Sequence, residues 1–84
     1  DLRIKGNTVL IPDNEPRNEH VCKQIERCID EGYSVCIWPQ NIEQKDINDM
    51  VLSGLSEADI SNIIHTNTHS GLQAKTVFNS WKKI

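Results

Sequence analysis

The stretch at residues 8–38 reads TVLIPDNEPRNEHVCKQIERCIDEGYSVCIW, and it decides the fold. It opens with an apolar, β-branched run at 8–11 and closes with a second apolar run at 35–38, each followed by a proline. Short continuous apolar runs of this kind are typical of buried strands. Between them, over 19–31, apolar residues recur at three- and four-residue steps, which predicts a helix that ends at Gly32. The stretch therefore predicts a βαβ unit with parallel strands and a right-handed crossover.

Three short helices are predicted after this unit, within residues 45–84. The first runs from about 47 to 53, and Ser56 begins the second with a sequence that resembles a capping box. Ser70 or Gly71 begins the third. The predicted fold class is α/β, with a small parallel βαβ sheet followed by short helices.

The length and composition of residues 1–84 predict one small globular domain, in which the first seven residues form a polar lead-in before the first strand. The net charge of −3 excludes the basic stripe of a free-standing, sequence-indifferent DNA-binding protein. Any nucleic-acid role must then depend on a local site, a metal ion or a partner segment. No run approaches the roughly 20 apolar residues of a membrane span. A soluble, intracellular protein is expected, in which the cysteines, at positions 22, 28 and 36 without C-x-x-C spacing, are free thiols.

Two polar segments follow the two predicted strands. Asp13 and Glu15 come after the first strand, and Lys45, Asp46 and Asp49 come after the second. Ligands bind beyond the carboxyl ends of parallel strands, and neighbouring strands lie only about 5 Å apart. The two segments are therefore expected to converge, and a cluster of carboxylates beside one lysine suits Mg²⁺.

Other interpretations of these residues stay open. Asp13 and Glu15 also suit a turn around a proline. Asp46 also suits a helix N-cap, with Asp49 at the third helical position. Arg17 either contacts phosphate or pairs with one of the two acidic residues in its own loop.

The run from Val9 to Glu15, followed by a helix, a strand and the run Lys45 to Met50, resembles the later part of a Toprim domain. This fold is shared by topoisomerases, primases and some nucleases. The resemblance is strongest to the Toprim segments of tailed-phage DNA primases and primase-helicases. In those segments an acidic pair separated by one residue follows a core strand, and a Lys-Asp-x-Asn-acidic run follows the next strand. The resemblance implies a partial Toprim, Rossmann-like fold over nearly the whole chain.

The resemblance also implies roles for individual residues. Asp13 and Glu15 match the family's metal-binding Asp-x-Asp pair, so that Mg²⁺ or Mn²⁺ is expected to bind them together with Asp46. Lys45, Asp46 and Asp49 match the lysine-acidic run that lies near the substrate phosphates. The chain is then expected to be the metal-binding part of a phage primase-type protein. Such a protein acts in Mg²⁺-dependent phosphoryl transfer on nucleic acid during DNA replication, in the cytoplasm of the infected bacterium.

Two departures from the family pattern shape this expectation. Position 15 is Glu rather than Asp, and only seven residues precede the first strand, where the family places an earlier strand, its catalytic glutamate and a helix. The isolated chain is therefore expected to have little or no turnover. The expected partner is the missing N-terminal half, another subunit or a second copy that pairs at the open sheet edge.

Further hypotheses remain. One is a non-catalytic interaction or dimerisation module whose acidic loops are remnants, and another is a gene fragment whose other half is encoded separately. The sequence leaves the reaction open among primer synthesis, strand passage and nuclease cutting.

Three other side chains draw attention. His65 and His69 are four residues apart, but residues 66–68 are poor helix formers, so surface histidines are expected rather than a metal site. Trp81 has lysine neighbours and suits either stacking on single strands or a continued apolar stripe, and the pattern favours packing.

Overall fold

The computed structural model describes residues 9–83, which form three short strands and four helices. In chain order they are β1 (Val9–Leu10), α1 (Glu19–Asp30), β2 (Ser34–Cys36), α2 (Ile47–Leu52), α3 (Glu57–Thr66), β3 (Thr68–His69) and α4 (Gly71–Trp81). The predictions for the lead-in, for residue 8 at the first strand and for residue 84 in the helical tail lie outside the described residues.

The three strands form one mixed sheet in the order β1-β2-β3. Strands β1 and β2 are parallel, with Leu10 opposite Val35, which confirms the predicted parallel βαβ unit. Strand β3 pairs antiparallel with β2, so the prediction of a purely parallel sheet is wrong in this respect. The physical reason is that α3 ends at Thr66 and the chain then returns along the free side of β2, where Ile37 N donates to Asn67 O at 3.0 Å.

Helix α1 matches its prediction closely. The Asn18 side chain accepts a hydrogen bond from Val21 N, which satisfies one of the free N–H groups at the helix start. Cys22, Ile25 and Ile29 are buried along one face. The helix ends before Gly32, whose φ of +90° is a left-handed conformation that glycine adopts without strain.

The predicted helices of the tail are also confirmed. Asp46 is the N-cap of α2, and α3 begins with a full capping box between Ser56 and Asp59. Ser70 precedes the first residue of α4, Gly71. Within residues 9–83, every helix is too short or too polar to span a membrane.

The core is divided between the two faces of the sheet, because successive side chains of a strand point to opposite sides. On one face, side chains of β2 and its extension pack against α1 and α4. This cluster contains Cys22, Ile25, Ile29, Val35, Ile37, Ala74, Phe78 and Trp81. On the other face, the cluster contains Cys36, Trp38, Ile42, Met50 and Ile60, with α2 and α3 as the covering helices. The sheet therefore presents its carboxyl edge between two helical layers.

Candidate functional site

Two loops leave the carboxyl ends of the parallel strands and lie against each other. We call residues 12–18 the Asp13 loop and residues 39–46 the Lys45 loop. Asn14 N in the first loop donates to Lys45 O in the second at 2.6 Å. The predicted convergence of the two polar segments is therefore observed in the backbone, and the parallel pairing of β1 with β2 causes it.

Asn14 is a site residue that the sequence pattern did not single out. Its Nδ2 donates to Ile42 O at 2.8 Å and to Gln44 O at 3.1 Å. Its Oδ1 accepts from Trp81 Nε1 at 3.2 Å. One half-buried amide therefore joins both loops and the end of α4. The only signal in the sequence was an amide, a group with two donors and one acceptor, placed between two carboxylates after a strand.

Both tryptophans hydrogen-bond to the Asp13 loop through their indole N–H groups. Trp38 Nε1 donates to Pro12 O at 2.7 Å and so fixes the first residue of the Asp13 loop. Trp81 is 6% exposed and packs against Phe78 with ring centroids 6.1 Å apart. The preference for packing over stacking on nucleic acid is confirmed for Trp81.

The C-terminal end of the described chain also reaches the Asp13 loop. Lys83 N donates to Pro16 O at 2.8 Å, and Cys22 Sγ lies 3.5 Å from the same oxygen. This contact was not predicted, since residues 16 and 83 are far apart in the sequence. It places a lysine beside the loop that carries Asp13 and Glu15.

The predicted metal ligands of the Asp13 loop lie in a turn. Asp13 is exposed and Glu15 is half-buried. Glu15 N donates to Asp13 O at 2.9 Å, and Asn18 N donates to Glu15 O at 3.0 Å. The turn interpretation of this loop is therefore confirmed for its backbone.

Asp46 and Asp49 adopt the capping arrangement that was left open for them. Asp46 Oδ1 accepts from Asp49 N at 2.9 Å, and Asp49 occupies the third helical position of α2. Capping uses one oxygen of Asp46 and leaves Oδ2 for another ligand. The metal assignment of Asp46 stays a prediction.

Among residues 9–83, the cations near the site form no ion pair with neighbouring acids. The ion pairs formed among residues 9–83 are Lys23 with Glu19 and Lys75 with Asp30, both outside the two loops. Arg17 is exposed and makes no ion pair with Asp13 or Glu15, so this alternative is not observed. Lys45 is also exposed. Within the part of the chain that the structure describes, an anionic ligand would therefore meet no competing ion pair at either cation.

The carboxylates of the two loops suit Mg²⁺ that is partly coordinated by water and phosphate better than Mg²⁺ enclosed by protein ligands alone. Within residues 9–83, no three His, Cys, Asp or Glu side chains lie close enough together to hold a metal ion. The residues therefore do not form an all-protein cage. They do offer hard carboxylate oxygens on two adjacent loops, which suits Mg²⁺ held by one or two carboxylates with water and substrate phosphate as the other ligands.

The histidine pair is separated as expected. His65 lies in the last turn of α3, whereas His69 lies in β3, and the helix ends between them at Thr66. Their spacing of four residues therefore does not place them on one helical face.

No protein-family model matches the chain, and a comparison with curated proteins finds no match. The assignment of a function therefore depends on the residues themselves and on their arrangement at the carboxyl edge of the sheet.

Proposed function

We propose that this chain is the metal-binding part of a Toprim-like domain in a phage primase-type protein. It acts in Mg²⁺-dependent phosphoryl transfer on nucleic acid during DNA replication. The observation that carries the proposal is the hydrogen bond from Asn14 N to Lys45 O, which joins the two acidic loops. These loops carry the two motifs that resemble the Toprim pattern, in the expected order around a βαβ unit.

The location of the loops supports the proposal. They lie beyond the carboxyl ends of two parallel strands, which is where open α/β sheets bind ligands. Three further hydrogen bonds fix the Asp13 loop, in which Trp38 donates to Pro12, Trp81 to Asn14 and Lys83 to Pro16. The Lys45 loop is joined to it through Asn14. A phosphoryl-transfer site needs such fixed positions, because its catalysis depends largely on orientation and charge.

Each residue has a distinct role in this proposal. Asp13, Glu15 and Asp46 bind the metal, with one or two of them in direct contact at a time. Lys45 and Arg17 contact substrate phosphates, and Asp49 belongs to the same substrate-facing run. When bound, Mg²⁺ supplies positive charge that neutralises phosphate oxygens and orients the reacting groups.

Catalysis in this proposal requires a partner. A glutamate that handles the proton is supplied from outside residues 9–83, either by another part of the protein or by another subunit. The edge strand β1 offers a docking position, since Val9 and Ile11 are each 42% exposed beside a strand edge that pairs with nothing among residues 9–83. A second copy of the chain is one candidate for that position.

An interaction module is the second candidate function, and specific observations favour it. The hydrogen bonds of the Asp13 loop and the cap at Asp46 give these acids structural roles without a metal. Leu72 is 80% exposed and Leu52 is 77% exposed, which suits contact with another protein. The affinity for Mg²⁺ distinguishes the two functions, because a metal-binding domain should bind Mg²⁺ at the two loops whereas a remnant site should bind it poorly.

Calorimetric titration with Mg²⁺ tests the proposal directly. We expect saturable binding to the wild-type protein and its loss in the double variant Asp13→Asn, Glu15→Gln. Asp30→Asn is the matched control, because Asp30 ends α1 just before β2 begins, at the opposite edge of the sheet. Equal, weak binding by all three proteins would favour the interaction module.

A further inference from the structure

We propose that a groove between the Asp13 loop and the end of α4 binds phosphate esters of nucleic acid, with Lys83 and Arg17 as its cations. The inference rests on the proposed function and deepens it, because it names the surface that receives the substrate backbone. It also assigns a substrate-binding role to Lys83, which lies outside both motifs.

The groove consists of two adjoining surface depressions at the carboxyl edge of the sheet. They share two residues, Pro16 and Lys83, and so form one continuous surface. The first depression is also lined by Glu15, Arg17 and Asn18. The second is also lined by Asn14, Pro39, Gln40, Ile42, Glu43 and Trp81. Lys83 therefore lies at the middle of the groove, beside one candidate metal ligand.

Lys83 is held in this place rather than carried on a free tail. Its backbone N–H is bonded to Pro16 O at 2.8 Å, two residues beyond the buried Trp81. The neighbouring Lys82 is directed elsewhere, since its Nζ lies 5.3 Å from the centre of the Phe78 ring. The fold therefore places Lys82 against the Phe78 ring and Lys83 in the lining of the groove.

The groove is lined by two cations, Arg17 and Lys83, and by two carboxylates, Glu15 and Glu43, so a phosphate ester would bind through direct contact with the two cations. Arg17 and Lys83 form no ion pair with another residue in the described range. The protein as a whole carries a net charge of −3, so these two cations are a local feature and not part of a general basic surface. Glu15 at the same depression would bring a bound metal next to the phosphate.

Fluorescence anisotropy with a labelled single-stranded oligonucleotide of about ten residues tests the inference. The titration is made in EDTA, so that a failure of metal binding cannot cause a failure here. We expect low-salt binding by the wild type that Lys83→Gln and Arg17→Gln each weaken several-fold, with a salt slope lower by about one unit per removed cation. The substitution at Lys83 leaves its backbone hydrogen bond in place.

Lys75→Gln is the matched control, because it removes the same charge at the far edge, where Lys75 pairs with Asp30 at 3.6 Å. Equal weakening by Lys75→Gln and Lys83→Gln would overturn the inference, as would no binding by the wild type. Competition then identifies the source of the phosphate. Displacement by a nucleoside triphosphate assigns the groove to free nucleotides, whereas displacement only by unlabelled oligonucleotide assigns it to the strand backbone.

Discussion

The Asn14 amide connects three segments of the chain that are distant in sequence. Its hydrogen bonds to Ile42 O, Gln44 O and Trp81 Nε1 leave none of its side-chain atoms without a partner. Each such bond contributes about 1 kcal/mol net, and removal of one partner leaves the other group unsatisfied. Asn14 is therefore expected to be a stability determinant of the site as well as its organiser.

We predict that Asn14→Ala lowers the free energy of unfolding by about 2–3 kcal/mol, because three hydrogen bonds are lost together. Urea denaturation followed by tryptophan fluorescence measures this change. Asn79→Ala is the control, since Asn79 is exposed on α4, and its effect should stay within about 0.5 kcal/mol. A loss as small as that of the control would show that the amide does not hold the loops together.

The cysteines behave as the free thiols that were predicted. Cys22 and Cys36 are buried and Cys28 is half-buried. Burial raises the pKa of all three thiols, and it raises the pKa of Cys36 to about 12. In the folded protein Cys36 therefore keeps its proton at pH values where an unfolded thiol has lost it.

Because the pKa of Cys36 is higher in the folded than in the unfolded protein, the free energy of unfolding falls at alkaline pH. The usual pKa of an unfolded thiol is about 9, and the stabilisation from Cys36 is complete below that pH. It is lost as the pH rises towards 12, the raised pKa of the folded thiol. Between about pH 8 and pH 10.5 we expect this group to lower the free energy of unfolding by about 2 kcal/mol. Cys36→Ala should flatten the pH dependence by that amount in denaturation experiments. Parallel curves for the two proteins would contradict the prediction.

At the scale of the elements, α2 depends on its cap. It has only six residues, and Asp46 supplies the side-chain hydrogen bond at its start. The proposed function gives the same carboxylate a second role as a metal ligand. The two roles can be separated, because asparagine caps a helix about as well as aspartate but lacks the charge.

We predict different results for two substitutions of Asp46. Asp46→Ala should lower the free energy of unfolding by about 1 kcal/mol, whereas Asp46→Asn should change it by less than about 0.5 kcal/mol. Both should weaken Mg²⁺ binding by about tenfold or more, equivalent to roughly 1.4 kcal/mol. Unchanged metal affinity in Asp46→Asn would restrict this residue to capping.

The elements that were predicted correctly are those with local signals. Helix α1 follows from the spacing of Ile25 and Ile29, and α3 follows from the capping box at Ser56. Strand β3 has no such signal. Its two residues form a strand only because they pair with Val35 and Cys36, which lie more than thirty residues earlier in the sequence.

The same distinction applies to the candidate site. The convergence of the Asp13 and Lys45 loops could be predicted, because parallel strands bring their carboxyl ends to one edge. The role of Asn14 could not be predicted, since two of its partners are carbonyl groups of another loop and the third is the indole N–H of Trp81 at the end of α4. The location of Lys83 also depends on the packing of α4 across the sheet.

At the scale of the whole molecule, the sheet has helices on both faces and ligand-accessible loops at its carboxyl edge. The two hydrophobic clusters stabilise the strands from both sides and so fix the edge from which the loops emerge. The central claim is that these two loops form a single metal site. It requires that residues of both loops respond to one bound ion.

Titration with Mn²⁺, followed by paramagnetic broadening of backbone NMR signals, tests this claim most directly. We predict that signals of residues 13–15 and 45–46 broaden together over the same range of Mn²⁺ concentration, and that Asp13→Ala abolishes the effect in both loops. Diffuse broadening, or broadening confined to one loop, would contradict a single metal site at the carboxyl edge.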